Sequence, residues 1–242
     1  MELAGRVALV TGAGRRVGRA IALALATREM RVAVHYNASA KEADETVRLA
    51  LAAGAKDAWS VSADLRDVAA ITKLINEVAA HGGSLDVLVN SAAEMKRTPF
   101  DSVTPEQWDD IMSLNMRSPF FCSQAAARHM TGGGAIVNIA DLAALETWPE
   151  YMPHGISKAG VMQMTRALAR KLAPKIRVNA VVPGAVLLPE HWTKEDADRL
   201  IRTTPLARLG SPDDVAHAVL YLLESDYVTG DAVIVDGGRH LR

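Results

Sequence analysis

Residues 6–26 read RVALVTGAGRRVGRAIALALA. A β-branched apolar run, RVALVT, passes without a spacer into a glycine-rich turn. The turn passes into GRAIALALA, whose apolar positions suit a helix. Strand, tight loop and helix in that order form a phosphate-binding unit. Gly12, Gly14 and Gly18 permit the turn, the close approach of backbone to a pyrophosphate and tight helix packing. The helix start offers free N–H groups and its positive end to an anion. The stretch therefore predicts a dinucleotide site, with Arg15, Arg16 and Val17 in the loop beside the phosphates.

Working outward, six more short apolar runs follow: RVAVHY (31–36), AWSVSA (58–63), LDVLVN (85–90), AIVNIA (135–140), RVNAVV (177–182) and AVIVDG (232–237). Amphipathic helical patterns such as DVAHAVLYLLES separate them. Near-continuous apolar strands alternating with helices predict an α/β chain, a doubly wound Rossmann fold with a seven-stranded parallel sheet covered on both faces. With no linker, repeat or low-complexity tract, residues 1–242 read as one domain. Residues 183–212 are the irregular stretch, about thirty residues read as a substrate-loop insertion, since such segments more often close over a site than merely connect.

Composition narrows the function. The chain has 27 basic and 28 acidic residues, a net charge of -1, 49% hydrophobic and 23% charged residues, which asks for neither nucleic acid nor an anionic membrane. The first strand begins six residues in and no apolar run approaches a bilayer span, so a cytoplasmic protein is expected. Cys122 is the one cysteine and is given no role. The seven histidines are scattered, and no metal site is expected.

Ligands of this architecture lie beyond the carboxyl ends of the strands. The second strand ends in VHYNAS with no acid to take a ribose 2′-hydroxyl, whereas Arg15 and Arg16, with Tyr36, Asn37 and Ser39, suit a 2′-phosphate. NADP(H) is the expected cofactor. Asp64 and Leu65 in SADL, Asn90, Ser91 and Ala92 in VNSAA, and Pro183, Gly184 and Val186 after the sixth strand complete its expected contacts.

Residues 150–160, EYMPHGISKAG, carry the chemistry. A helix starting near Pro153 puts His154 and Lys158 four positions apart on one face, with Tyr151 just outside its start.

Together TGAGRRVG, ADL, VNSAA, SLNM, GAIVNIAD, SKAG, RVNAVVPGAV and YVTGDAVIVDGG, spread over essentially the whole chain, resemble the short-chain dehydrogenase/reductase family. The resemblance implies an NAD(P)-dependent oxidoreductase with an Asn, Ser, Tyr and Lys tetrad. Asn115 and Lys158 match the asparagine and lysine. The tyrosine position, four before the lysine, is His154, and the serine position, thirteen earlier still, is Asp141. Arg16 stands where the family usually has glycine; with Asp141 it is similar to the pteridine reductase branch, and 3-oxoacyl-ACP and carbonyl reductases are similar by loop pattern. The resemblance also suggests a homotetramer, with the helix around FFCSQAAARHM, the helix of MTRALARKLAP and the C-terminal strand at interfaces.

In the family reaction an acid protonates the substrate oxygen as hydride reaches carbon. Three readings stand. In one, His154 is that acid and Asp141 orients and charges it, while the Lys158 cation favours the neutral imidazole. In another, Tyr151 donates the proton. In the third, the chain binds NADP(H) with little turnover, as a sensor, scaffold or partner subunit. The expected pocket wall of Met95, Phe100, Leu142, Trp148, Tyr151, Leu187, Leu188, His191 and Trp192, with Arg16 from the loop, suits a small carbonyl or heteroaromatic substrate. Glu94, Lys96 and Arg97 read as a rim to its mouth or, more often for such a charge cluster, as solvated surface.

Overall fold

The computed structural model describes residues 1–188 and 193–241. Strand β1 (Val7–Val10) is apolar throughout because both its faces are covered: Ala8 and Val10 pack into one core, Val7 and Leu9 into another. β2 (Arg31–Tyr36), β3 (Asp57–Ser62), β4 (Val87–Asn90), β5 (Gly134–Ile139), β6 (Ile176–Pro183) and β7 (Ala232–Val235) complete one sheet. All pairs are parallel, in the order β3-β2-β1-β4-β5-β6-β7. These are the strands expected, with β2 at the expected bounds and the others' ends shifted by at most two residues.

Helices α1 (Arg16–Ala26) and α8 (Pro212–Glu224) cover the face carrying Ala8 and Val10, and Ala50 of α2 (Ala40–Ala52) packs on Ala26 and Ala58 at its margin. On the other face, α3 (Val68–Gly82), α5 (Ser118–Ala127) and α6 (Met152–Leu172) pack on Leu9, Leu88, Ile136 and Val178. α4 (Pro105–Met112) runs into α5 through a five-residue π-helical turn, Ser113–Arg117. Sequence order reverses between β1 and its neighbours β2 and β4, so a crevice opens at their carboxyl ends, the usual ligand position in such sheets. Among the described residues, no helix is long and apolar enough to cross a membrane.

One expectation changes. The stretch 183–212 is not irregular throughout, because α7 (Lys194–Thr203) occupies its middle. Thr193 and Asp196 cap that helix reciprocally, and an apolar stripe buries only Leu200, too little to stand out in a window of charged residues. At the C-terminus Asp236 accepts from the N–H groups of Gly238 (2.8 Å) and His240 (2.7 Å), which folds Arg239–Leu241 back onto its own chain.

Candidate active site

The glycine loop is sewn to its surroundings from three sides. Thr11 Oγ1 accepts from the N–H groups of Ser91 (2.9 Å) and Ala92 (3.0 Å), joining the ends of β1 and β4. Gly12 N–H donates to Nδ1 of His35 (3.1 Å), whose Nε2 lies 3.1 Å from the Ala63 carbonyl, so one buried imidazole bridges loop, β2 and β3. Arg19 donates to the Gly14 carbonyl (2.6 and 3.1 Å), Thr46 and the Glu42 carbonyl, tying the loop to α2. At Gly12, with φ +65°, a Cβ would stand 2.9 Å from Cα of Ala92, and at Gly18 it would run into the Gly12 carbonyl. Bare backbone therefore lets β1, β4 and α1 close into one floor, with the open N-terminus of α1 beside it. Those features fit a dinucleotide. Arg15 and Arg16 are exposed, as is Asn37, and Ser39 precedes the first residue of α2 without a side-chain capping bond. Arg16 keeps φ +56°, the conformation that favours glycine, although it carries a side chain.

The second cluster is assembled from four elements. The π turn brings Asn115 inward, where it is buried; such turns are frequent at functional sites. Its Oδ1 accepts from Glu94 N–H (2.9 Å) and its Nδ2 donates to the Glu94 carbonyl (2.8 Å), which fixes the amide orientation. The same Nδ2 is 3.2 Å from Nδ1 of His154 and 3.3 Å from Ser157 Oγ. His154, in the first turn of α6, is 2% exposed, and its Nδ1 is also 3.2 Å from the Glu94 carbonyl. Nε2 points the other way, to Asp141 Oδ2 at 3.8 Å, within ion-pair range but beyond a hydrogen bond. It has no hydrogen-bond partner among the described residues although it is buried. Asp141 accepts from Ala143 N–H (2.8 Å) through Oδ1, leaving Oδ2 for His154, and its side chain is 27% exposed. Lys158 donates to the Ile139 carbonyl at the end of β5 (2.9 Å); burial lowers its pKa from 10.5 to about 8, with Asp141 pulling the other way.

Asn115, Asp141, His154 and Lys158 are thus brought together, as the family resemblance implies. Tyr151 closes a short 3-10 turn, Pro149–Tyr151, just before α6 and stands edge-on to Trp148, with ring centroids 6.4 Å apart. Met95 and Leu187 are exposed at the carboxyl edge. Asp64 holds its own turn, accepting from Arg66 N–H (3.0 Å). Ser91, Ala92, Gly184 and Val186 line strand ends, and Asn90 donates to Asn138 (2.8 Å) and Ser123 (3.2 Å) inside the fold. One side-chain expectation is corrected. Leu142 is core rather than pocket wall, because the turn after Asp141 points it inward. Leu65 packs its side chain under α3, leaving its backbone alone for a ligand. Glu94 and Lys96 are ion-paired with Arg66 and Asp110, and Arg97 pairs with Glu150 at 2.7 Å, a partly exposed charge cluster. Trp192 and His191 lie outside the described residues. Thr11, Arg19, His35, Glu94 and Ser157 were missed. All five act on or through main-chain atoms, and Arg19 in addition sits at an ordinary helical position.

A family model described as enoyl-(acyl carrier protein) reductase matches residues 12–240, from the glycine loop past β7. The chain is a short-chain dehydrogenase/reductase. This oxidoreductase is 35% identical to the 3-oxoacyl-[acyl-carrier-protein] reductase FabG of Staphylococcus aureus over 241 residues, covering 97% of this chain and 98% of that one. It is 36% identical to a versicolorin reductase of Emericella nidulans over 255 residues, covering 98% and 96%. A solved dehydrogenase/reductase from Sinorhizobium meliloti 1021 superposes with a TM-score of 0.92 at 34% identity, covering 98% of this chain and 97% of that one. Short-chain dehydrogenase/reductases work with a nicotinamide dinucleotide, and the floor and open helix N-terminus described above are built for one.

Proposed function

We propose that this reductase uses NADP(H) to reduce a carbonyl substrate, with His154 as the proton donor and Asp141 as the carboxylate that holds its charge. The observation that carries the reading is Nε2 of His154. It is a buried nitrogen without a hydrogen-bond partner among the described residues, 3.8 Å from a carboxylate oxygen and four residues before the buried Lys158. A buried polar atom left unpaired costs stability and calls for a role. The bound nicotinamide supplies the hydride. His154 supplies the proton at the substrate oxygen, Asp141 favours the imidazolium before transfer, and Lys158 holds positive charge at the end of β5.

For the cofactor, the absence of an acid at the end of β2 and the exposed Arg15 and Arg16 support a 2′-phosphate. For the substrate, relatives named as 3-oxoacyl and versicolorin reductases support a carbonyl over a pterin. The exposed apolar Met95 and Leu187, with Trp148 and Tyr151, offer it an apolar wall. The segment 183–212, α7 included, is proposed to close over this site. Tyr151 is placed as part of the wall, since it stands before the helix that carries His154 and Lys158.

The test is NADPH oxidation against a carbonyl panel between pH 5 and 9, after fluorescence titration has established NADPH binding. His154→Phe should lose about a hundredfold or more in kcat, whereas Tyr151→Phe should lose little. Arg16→Gly in the same assay should weaken NADPH about tenfold and leave NADH unchanged. Full turnover in His154→Phe sinks the histidine acid. Tight NADPH binding with no turnover by the wild type on any carbonyl would favour the sensor reading.

A further inference from the structure

Glu94 acts in two places at once. Its main-chain N–H and carbonyl pair with the Asn115 amide, and the same carbonyl oxygen is 3.2 Å from Nδ1 of His154. Its carboxylate belongs to a closed network of two cations and two anions. Glu94 Oε2 meets Arg66 Nη2 (2.8 Å) and Oε1 meets Lys96 Nζ (3.0 Å), while Asp110 takes Arg66 Nε (2.6 Å) on one oxygen and Lys96 Nζ (2.7 Å) on the other. Asp110 lies five residues before Asn115 on the helix that carries the π turn. The network therefore fastens the loop after β4 to that helix, and it sets where the Glu94 carbonyl stands.

Each nitrogen of a protonated His154 then faces an acceptor: Nε2 faces Asp141, and Nδ1 faces the Glu94 carbonyl. Asn115 does not obstruct this arrangement. One of its N–H groups goes to Glu94, and the other has Ser157 Oγ at 3.3 Å, an oxygen whose own proton goes to the His154 carbonyl at 2.6 Å. We propose that Glu94 is a positioning residue for the proton donor, its carbonyl holding the protonated imidazole of His154 and its ion-paired side chain holding that carbonyl in place. Hydrogen bonds from Lys96 and Arg66 hold the Asp110 carboxyl at about 2, and those from Asp110 and Glu94 raise Lys96, so these two keep their charges in the working range. The charged groups around the imidazole are Asp141 after β5, Lys158 one turn further along α6, and the Glu94 carboxylate with its partners behind the carbonyl. In the step served, Nε2–H passes its proton to the substrate oxygen as hydride from the reduced nicotinamide reaches the carbonyl carbon. The products are an alcohol, oxidised nicotinamide and a neutral imidazole.

The proposal rests on the proposed function for its catalytic meaning, so the test reads the imidazole directly as well as turnover. Lys96→Gln with Asp110→Asn removes one cation and one anion, leaving Glu94 held by Arg66 alone and the network still neutral. In chain labelled with 15N-histidine, with His154→Phe giving the assignment, the His154 signals should titrate about one pH unit lower in this variant than in wild type. The kcat profile should fall at correspondingly lower pH with KM for NADPH unchanged. Identical titration in variant and wild type, with or without a loss of thermal stability, overturns the proposal and leaves the network merely structural. Should the double variant not fold, Lys96→Gln alone answers the question. Removing that cation favours a protonated His154, so a shift to lower pH can come from geometry alone, and Lys96→Arg must restore the wild-type titration. Turnover surviving in His154→Phe while the signals shift as expected would remove the histidine acid and leave the hold of Glu94 on the imidazole standing.

Discussion

His35 shows how much one side chain can decide. Its Nδ1 takes the Gly12 N–H and its Nε2 reaches the Ala63 carbonyl, an arrangement that needs a neutral ring with its proton on Nε2. Burial lowers its pKa from 6.5 to about 4, against weaker upward pulls from the Ala63 hydrogen bond and Asp64. A folded-state value below the unfolded one means that the unfolded chain takes the proton first as pH falls, so stability is lost between about pH 6.5 and 4. Urea unfolding should show a loss of about 2 kcal/mol between pH 7 and 5 from this group. His35→Asn keeps an acceptor for Gly12 but cannot be protonated, so its pH slope should be shallower; equal slopes would refute the assignment. Arg16 is a residue under backbone strain: at φ +56° it pays conformational energy at a position suited to glycine, a cost that the proposed 2′-phosphate contact would offset.

At the scale of elements, the site depends on how α1 is seated. Arg19 points back from the first turn of α1 and donates to the Gly14 carbonyl, the Thr46 hydroxyl and the Glu42 carbonyl, joining loop, α1 and α2. Arg19→Met keeps much of the packing volume and removes those donors. It should lower unfolding free energy by about 2 kcal/mol in urea titrations, because it leaves acceptors under-satisfied. NADPH binding should weaken in parallel as the loop drifts from its floor. Unchanged stability and affinity together would show that the Thr46 hydroxyl, which also reaches Gly14 at 3.2 Å, suffices. The π turn between α4 and α5 is the second deciding element, since it presents Asn115 inward to Glu94 and His154.

The whole molecule leaves β7 as one of the two sheet edges, bonded on one side to β6 and only half buried. Phe120 on α5 and Tyr221 on α8 are exposed, and Tyr227, just before β7, is fully so. Edges and apolar faces of this kind are normally covered, and a homotetramer is proposed to cover them. Sedimentation equilibrium should return about four times the 25.9 kDa chain. A monomeric mass at micromolar concentration would remove the expectation.

Fold class, the seven strands, the glycine loop and the placing of His154 and Lys158 on one helix face are legible in local signals, apolar period, glycine spacing and residues four apart, while Asn115 and Asp141 are picked out only by the resemblance to the family's motifs. The irregular reading of 183–212 missed α7, although the capping pair Thr193 and Asp196 was there to be seen. Tertiary structure alone decided that Asp141 faces His154 through one free oxygen, that His35 stitches the cofactor loop to two strands, and that Glu94 ties an ion network to the imidazole. These contacts join residues far apart in the chain, and several run through backbone carbonyls and N–H groups. Every residue type offers a carbonyl, and every one but proline an N–H, so only the folded geometry reveals which of them are used.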